Sequence, residues 1–190
     1  MFALPLTEDV ELRPLDPWRA EEFLANLDRA REHIQPWVAS SFVATDLPSA
    51  RAVLQRYADR WASDSGGIWG LWWRGTLVGG VMFVSFDATL GVCEVGCWVE
   101  PAAQGRGIVA PAVRRIIDWA VRERGIQRVE WRTSADNTRS KALAGRLGLR
   151  LDGTLRQLYP GPRGRIDLEV WSVLADEWLA APTGSSPTVH

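Results

Sequence analysis

Histidine is scarce in this 190-residue chain, with His33 and His190 the whole supply. Two such residues cannot build a histidine-rich metal site. A Ser-His-Asp triad would have to use His33, and no Gly-x-Ser-x-Gly elbow is present to support one. Cysteine is equally rare. Cys93 and Cys97 lie four apart in a run of strand formers, on one side but about 13 Å apart along an extended chain. That is beyond disulfide reach, so both are expected as buried strand thiols. Neither sign of charge is in excess: 22 Lys and Arg against 23 Asp and Glu leave a net charge of −1. A surface of that kind offers no general attraction to nucleic acid or to an anionic membrane. No apolar run reaches membrane-spanning length. Met1 to Leu6 has neither the basic start nor the long apolar stretch of an export signal, which makes a cytoplasmic location the expectation. Two phosphate motifs are missing as well. There is no Gly-Lys-Ser/Thr to close a Walker A loop, and no early strand–turn–helix unit with three spaced glycines followed by an acidic residue.

What is present is Gln104-Gly105-Arg106-Gly107-Ile108-Val109. It follows Cys93 to Val99, a run of strand formers, and precedes Val109, Val113, Ile116, Ile117 and Ala120 at helical spacing. A glycine-rich loop between a strand and a helix leaves several N–H groups unpaired at the positive end of the helix dipole. Such a construction takes a phosphate or pyrophosphate. A side chain at Gly105 or Gly107 would hold the anion away from the main chain.

The punctuation of the chain gives strands over Val10–Leu15, Ile68–Trp73, Thr76–Phe86 and Leu90–Val99. Helices are expected over Pro17–Arg31, Pro48–Trp61 with Asp46 as cap, and Gly107–Arg124 ending at Gly125. A fifth strand around Val129–Thr133, a helix opened by Asn137 and two last strands around Pro160-Gly161-Pro162 complete the set. Residues 1–181 read as one domain without repeats, and 182–190, rich in Pro, Thr, Ser and Gly, as a disordered tail. Eleven tryptophans are the compositional oddity. Core or dimer-interface packing is the ordinary use of such rings, an aromatic-lined acceptor cleft the sharper one.

The loop resembles the Gln/Arg-x-x-Gly-x-Gly/Ala pyrophosphate loop of the GNAT N-acetyltransferases. Asn137-Thr138-Arg139-Ser140 followed by Leu147-Gly148-Leu149 resembles the Asn-x-x-Ser…Gly-Phe segment of that family. Leu12-Arg13-Pro14-Leu15, His33 to Trp37 and Asp167 to Leu174 are similar to its RimJ/RimL branch, which acetylates ribosomal-protein N-termini. The resemblance runs over roughly residues 8 to 179. It implies an α/β (α+β) fold: a mixed, mostly antiparallel seven-stranded sheet with helices on both faces, its fourth and fifth strands splayed. Two departures stand out. Val109 replaces the usual Gly or Ala, and Tyr159 stands where RimL-type enzymes carry a glutamate proposed as the base.

Transfer of acetyl from acetyl-CoA to an amine is the implied reaction, by direct attack with both substrates bound, so that orientation is the enzyme's main task. The resemblance implies that the main chain of Trp98 and Val99 pairs with the pantetheine arm. Gln104, Gly105, Arg106, Gly107, Ile108, Val109 and Ala110 would cradle the pyrophosphate. Asn137 would bond the arm, and Arg139, Lys141 or Arg146 would meet the nucleotide phosphate or else form a solvated helix face. Ser140 would act as acid toward the CoA sulfur, or merely cap its helix. Glu94, a carboxylate in an apolar strand, is the candidate base in place of the missing glutamate, with burial to raise its pKa. Tyr159 would be an acid or a wall of the acceptor site, and Asp167 or Glu169 could hold the acceptor amine. A protein N-terminus leads as acceptor on the resemblance. A small-molecule amine, or a non-catalytic module that only binds acyl-CoA, remains the alternative. No metal is required, and a homodimer is the expected assembly.

Overall fold

Residues 3–161 and 164–181 are described by the structure, a computed structural model. The expected tail at 182–190 lies outside them. Fifteen elements matter to the argument. They run β1 (Leu4–Pro5), β2 (Val10–Pro14), α1 (Ala20–Ile34), α2 (Leu47–Ala62), β3 (Gly67–Trp73), β4 (Thr76–Asp87) and β5 (Val92–Val99). Then follow α3 (Val109–Arg124), β6 (Arg128–Ser134), α4 (Thr138–Arg146), β7 (Arg150–Gly161), β8 (Gly164–Leu174) and α5 (Ala175–Ala180). Short 3-10 turns at Pro17–Arg19 and Pro101–Ala103 precede α1 and the glycine loop.

The strands form one sheet in the order β1-β2-β3-β4-β5-β6-β8-β7. β5 and β6 pair in parallel and their neighbours pair antiparallel. The eighth strand is β1, where Leu4 and Pro5 pair with Leu12 and Glu11. Two residues carry no readable alternation, which is why a seven-stranded sheet is what the pattern alone predicts. The strands expected fourth and fifth are therefore β5 and β6.

Helix boundaries follow local chemistry. The Asp46 side chain accepts from Ser49 N–H at 2.8 Å and caps α2. Gly125, at φ 69°, ends α3 in the left-handed conformation. α3 begins at Val109 rather than at Gly107, because Gly107 sits at φ 71° and a right-handed helix cannot contain that angle. α1 runs on to Ile34, three residues past the expected end, and Ile34 is buried beneath it.

Each face of the sheet has its own core. Phe23 and Leu27 of α1 and Val53 and Leu54 of α2 pack on Trp72, Met82 and Trp98. Ile116 and Ile117 of α3 and Ala144 of α4 pack on Val81, Val95 and Trp131 of the opposite face. Most of the tryptophans are accounted for here. Trp61 meets Trp69 edge-on at 5.2 Å and Trp119 at 5.7 Å, and Trp119 continues to Phe83 and Phe86.

One feature of the sheet makes the site. β5 and β6 pair only between Val92–Glu94 and Arg128–Glu130. Beyond that rung β5 stays with β4 as far as Val99, while β6 stays with β8 as far as Ser134. The two strands part, and a slot opens between them.

Candidate active site

Both strands that border the slot end in loops feeding helices, so α3 and α4 begin at its open end. In the first loop Gly105 and Gly107 hold φ 70° and 71°, with nothing within 4 Å of the place a Cβ would occupy. Glycine is needed there for the backbone angle and not for space. Among the described residues no hydrogen bond engages the N–H groups of Gly105, Arg106, Gly107 or Ile108. Those of Val109 and Ala110 are the unpaired first turn of α3, and Pro111 has none to lose. The Val109 side chain packs against the core beside Val113, leaving its main chain to the loop. The Arg106 guanidinium does not face this cradle; it lies 4.2 Å above the Trp73 ring.

Gln104 anchors the loop from both sides. Its Oε1 accepts from Arg139 of α4 at 3.1 Å, and its amide nitrogen meets His33 Nε2 of α1. Arg139 thus ties the start of α4 to the start of the loop across the mouth of the slot.

The inner edge of β5 can be read from its register. Glu100 N–H donates to the Val78 carbonyl, and Val99 stands opposite Gly79. Bonded and non-bonded residues alternate along an antiparallel ladder. The main chain of Trp98 therefore faces β4, while that of Val99 and Cys97 faces the slot. This corrects the expectation for Trp98: Cys97 takes its place beside Val99 as an edge residue. The Trp98 ring is buried between Phe23 and Phe42, and its indole donates to Asn26 Oδ1 at 2.8 Å. Asn26 Nδ2 and Arg29 Nε both donate to Glu100 Oε2, at 2.9 and 2.8 Å. This buried network, invisible in the sequence, holds α1 to the segment entering the loop. Burial pushes the thiols of Cys93 and Cys97 up to about 12.

On the other border, Asn137 caps α4 by accepting from Ser140 N–H at 3.1 Å. Asn137 Oδ1 is thereby occupied and its Nδ2 is left for a ligand. Ser140 is not the cap. Its Oγ accepts the indole N–H of Trp131 at 2.8 Å. Lys141 turns away to Glu169 Oε1 and the Ala135 carbonyl, so neither Lys141 nor Glu169 is free. Asp167 accepts from Gln157 N–H. Arg146 is exposed at the far end of α4.

At the last shared rung Glu94 of β5 faces Glu130 of β6. The two carboxylates are driven apart in acidity. Burial raises the pKa of Glu94, only partly opposed by Arg132, and Glu130 adds to the rise. Burial works on Glu130 too, but hydrogen bonds from Arg128 and Arg132 outweigh it and hold Glu130 below the ordinary value. Arg128 is shared with Asp152. Tyr159, half exposed on β7, lies near enough to Arg132 to interact electrostatically with it. A pair of neighbouring carboxylates with divided acidity is the usual arrangement of a base beside a structural anion. Glu94 shares its face with Tyr57 of α2, while Cys93 and Val95 lie in the opposite core. Ser140 and Trp131 stand on that opposite side, and Trp131 is the residue next to Glu130. The candidate base therefore lies at the closed end of the slot on one face of the sheet, and the candidate acid on the other face, in the first turn of α4.

Glu130, Arg132 and Trp131 were not singled out by their sequence pattern, because an alternating charged strand is most often just a solvated face. Among the described residues no group of three His, Cys, Asp or Glu side chains is arranged to hold a metal ion.

A slot with unpaired strand edges and a cradle of free N–H groups at its mouth suits a pantetheine arm and a diphosphate. The acetyltransferase (GNAT) domain model matches residues 9–150. The chain belongs to the GNAT family. As a GNAT enzyme it is an N-acetyltransferase that draws its acyl group from acetyl-CoA. YdaF of Bacillus subtilis, provisionally named a ribosomal N-acetyltransferase, is 28% identical over 187 residues, covering 94% of this chain and 98% of its own. The ribosomal-protein-serine acetyltransferase of Escherichia coli is 28% identical over 81 residues, 43% of this chain and 45% of its own. Among solved structures, the ribosomal-protein α-N-acetyltransferase RimL in complex with coenzyme A superposes with a TM-score of 0.86 at 18% identity. It covers 92% of this chain and 99% of its own. Both curated relatives are named for ribosomal acetylation, and the RimL likeness is one of fold.

Proposed function

We propose that this GNAT enzyme acetylates the α-amine of a protein N-terminus. The observation that carries the mechanism is the placement of Glu94 and Ser140 on opposite faces of the sheet beside the slot. In this reading the main chain of Gly105 to Ala110 holds the diphosphate, Val99 and Cys97 line the arm, and Asn137 Nδ2 and Arg139 hold it from α4. Glu94 takes the proton of the incoming ammonium, and the freed amine forms its C–N bond to the thioester carbonyl from the face of α1 and α2. The C–S bond breaks, and Ser140 gives its proton to the departing sulfur on the other side. The acylated nitrogen sheds its second proton, which returns through water to the Ser140 oxygen, and solvent takes the proton from Glu94. Each proton transfer is worth about 10²–10⁴-fold in rate.

Three features support an ammonium acceptor. Glu94, Glu130 and Asp152 outnumber Arg128 and Arg132 around the closed end, which leaves a surplus negative charge. Tyr159 stands at the rim as a wall. The relatives named above are called ribosomal N-acetyltransferases. We also read residues 1–181 as one domain, cytoplasmic, and paired as a homodimer. The exposed edge strand β7, with Leu151, Leu155 and Leu158 bare, supports that pairing.

Thiol release from acetyl-CoA tests the proposal, with three acceptor sets: peptides beginning Ser, Ala or Met, free amino acids, and polyamines. Turnover on peptides at least about tenfold above the rest is expected. Turnover confined to the small amines would move the acceptor class, and CoA binding without turnover on any of them would leave a binding module.

A further inference from the structure

The Ser140 hydroxyl has a partner that bars its hydrogen from one direction. An indole N–H donates and never accepts. Trp131 is 3% exposed, fixed in the core under α3 and α4, and its Nε1 stands 2.8 Å from Ser140 Oγ. The N–H of Ser140 is fixed in turn by Asn137. A serine hydroxyl ordinarily rotates to suit whichever partner is nearest. Here an oxygen lone pair is occupied by a donor that cannot swing away. Among the described residues no acceptor takes the remaining hydrogen.

We propose that Trp131 is a positioning residue: its indole N–H fixes the Ser140 hydroxyl as a donor aimed into the slot. The proposal rests on Ser140 being the acid that protonates the departing sulfur. Two effects follow from one bond. The hydroxyl cannot turn its hydrogen onto the ring, so its choice of directions is narrowed before the substrate arrives, and this lowers the reorganisation needed for proton transfer. The donated N–H also polarises the hydroxyl in the direction that eases loss of its proton.

Trp131→Phe removes the N–H and keeps the ring. It should lower kcat about tenfold, the effect of one hydrogen bond, with the KM for acetyl-CoA and the Kd for CoA within about twofold. In a Ser140→Ala background the same change should have no further effect on kcat. Equal losses in both backgrounds would show a packing role and overturn the proposal, as would an unchanged kcat in the wild-type background. Should Ser140→Ala itself turn over at the wild-type rate, the acid assignment fails, and this inference falls with it; the two failures are told apart by that single variant. If Trp131→Phe does not fold, the indole N–H resonances of the full chain give the answer. One of them should shift in Ser140→Ala and again when CoA is added to the wild type. A spectrum in which Ser140→Ala moves no indole resonance would overturn the bond.

Discussion

Glu94 Oε2 and Arg132 Nε stand 3.6 Å apart at the rung where β5 and β6 part company. Arg132 sits closer to Glu130, at 2.9 Å, so Glu94 receives the weaker share of that guanidinium. Burial raises the pKa of Glu94, and so weak a share of Arg132 opposes that rise only in part. A base that must be ionised works only above its pKa. The rate kcat/KM should therefore climb through an acidic limb whose midpoint lies above the ordinary carboxylate value of 4.5. In Glu94→Gln that limb should vanish and the rate should fall about 10²-fold or more. A pH–rate profile of both proteins is the check, and a limb that survives in the variant assigns it to another group.

The left-handed angle at Gly107 yields a prediction about both stability and ligand. Alanine at φ 71° costs about 1–2 kcal/mol, with no relief to be had from the open space around it. Relaxation of that strain would re-aim the N–H groups of the cradle. Gly107→Ala should lower the melting temperature and weaken CoA binding by about tenfold, which calorimetry would measure. Unaltered affinity in a folded variant would free the loop of its assigned ligand.

Asn26 is fully buried and serves two partners, accepting from Trp98 and donating to Glu100. Asn26→Ala would strip the indole of its acceptor and the buried carboxylate of one donor. A cost of about 2–4 kcal/mol is expected in urea unfolding. A loss below about 1 kcal/mol would mean that the network is filled by water at little expense.

His33 connects stability to pH. Its Nε2 faces the amide nitrogen of Gln104, which can only donate, so the ring must accept and remain neutral. Burial, then the charge of Arg139, lowers its pKa from 6.5. With the folded value depressed, the unfolded chain binds more protons between the two values. Stability is therefore lost as pH falls below 6.5 and levels off beneath the folded value. His33→Gln should flatten this part of the pH dependence, as measured by urea unfolding at a series of pH values between the two limits and above 6.5. An equal slope in both proteins would place the titration elsewhere.

Much of the architecture is legible in the sequence for a local reason. Val113, Ile116, Ile117 and Ala120 recur at helical spacing and bury one stripe of α3. Asp46 announces its helix by a cap, and Gly125 ends another by its angle. The two glycines of the loop and the Asn-x-x-Ser opening of α4 are likewise short-range features, each complete within a few residues. β1 escaped such a reading because two residues show no period.

What those patterns do not contain is the partner of each side chain. Trp98 reads as an edge residue until its register with β4 turns its main chain away from the slot. Ser140 reads as a cap until Trp131 takes its oxygen. Asn26 and Glu100 are 74 positions apart, and no local pattern relates them. Sequence alone determined the helices, most strands, the glycine loop and the family, since steric angles and burial periods act between near neighbours. Only the tertiary structure decided which carboxylate is the weaker acid and which hydroxyl accepts from Trp131. Those properties are set by burial and by hydrogen bonds between elements, and neither exists until the sheet and its two helical layers have closed.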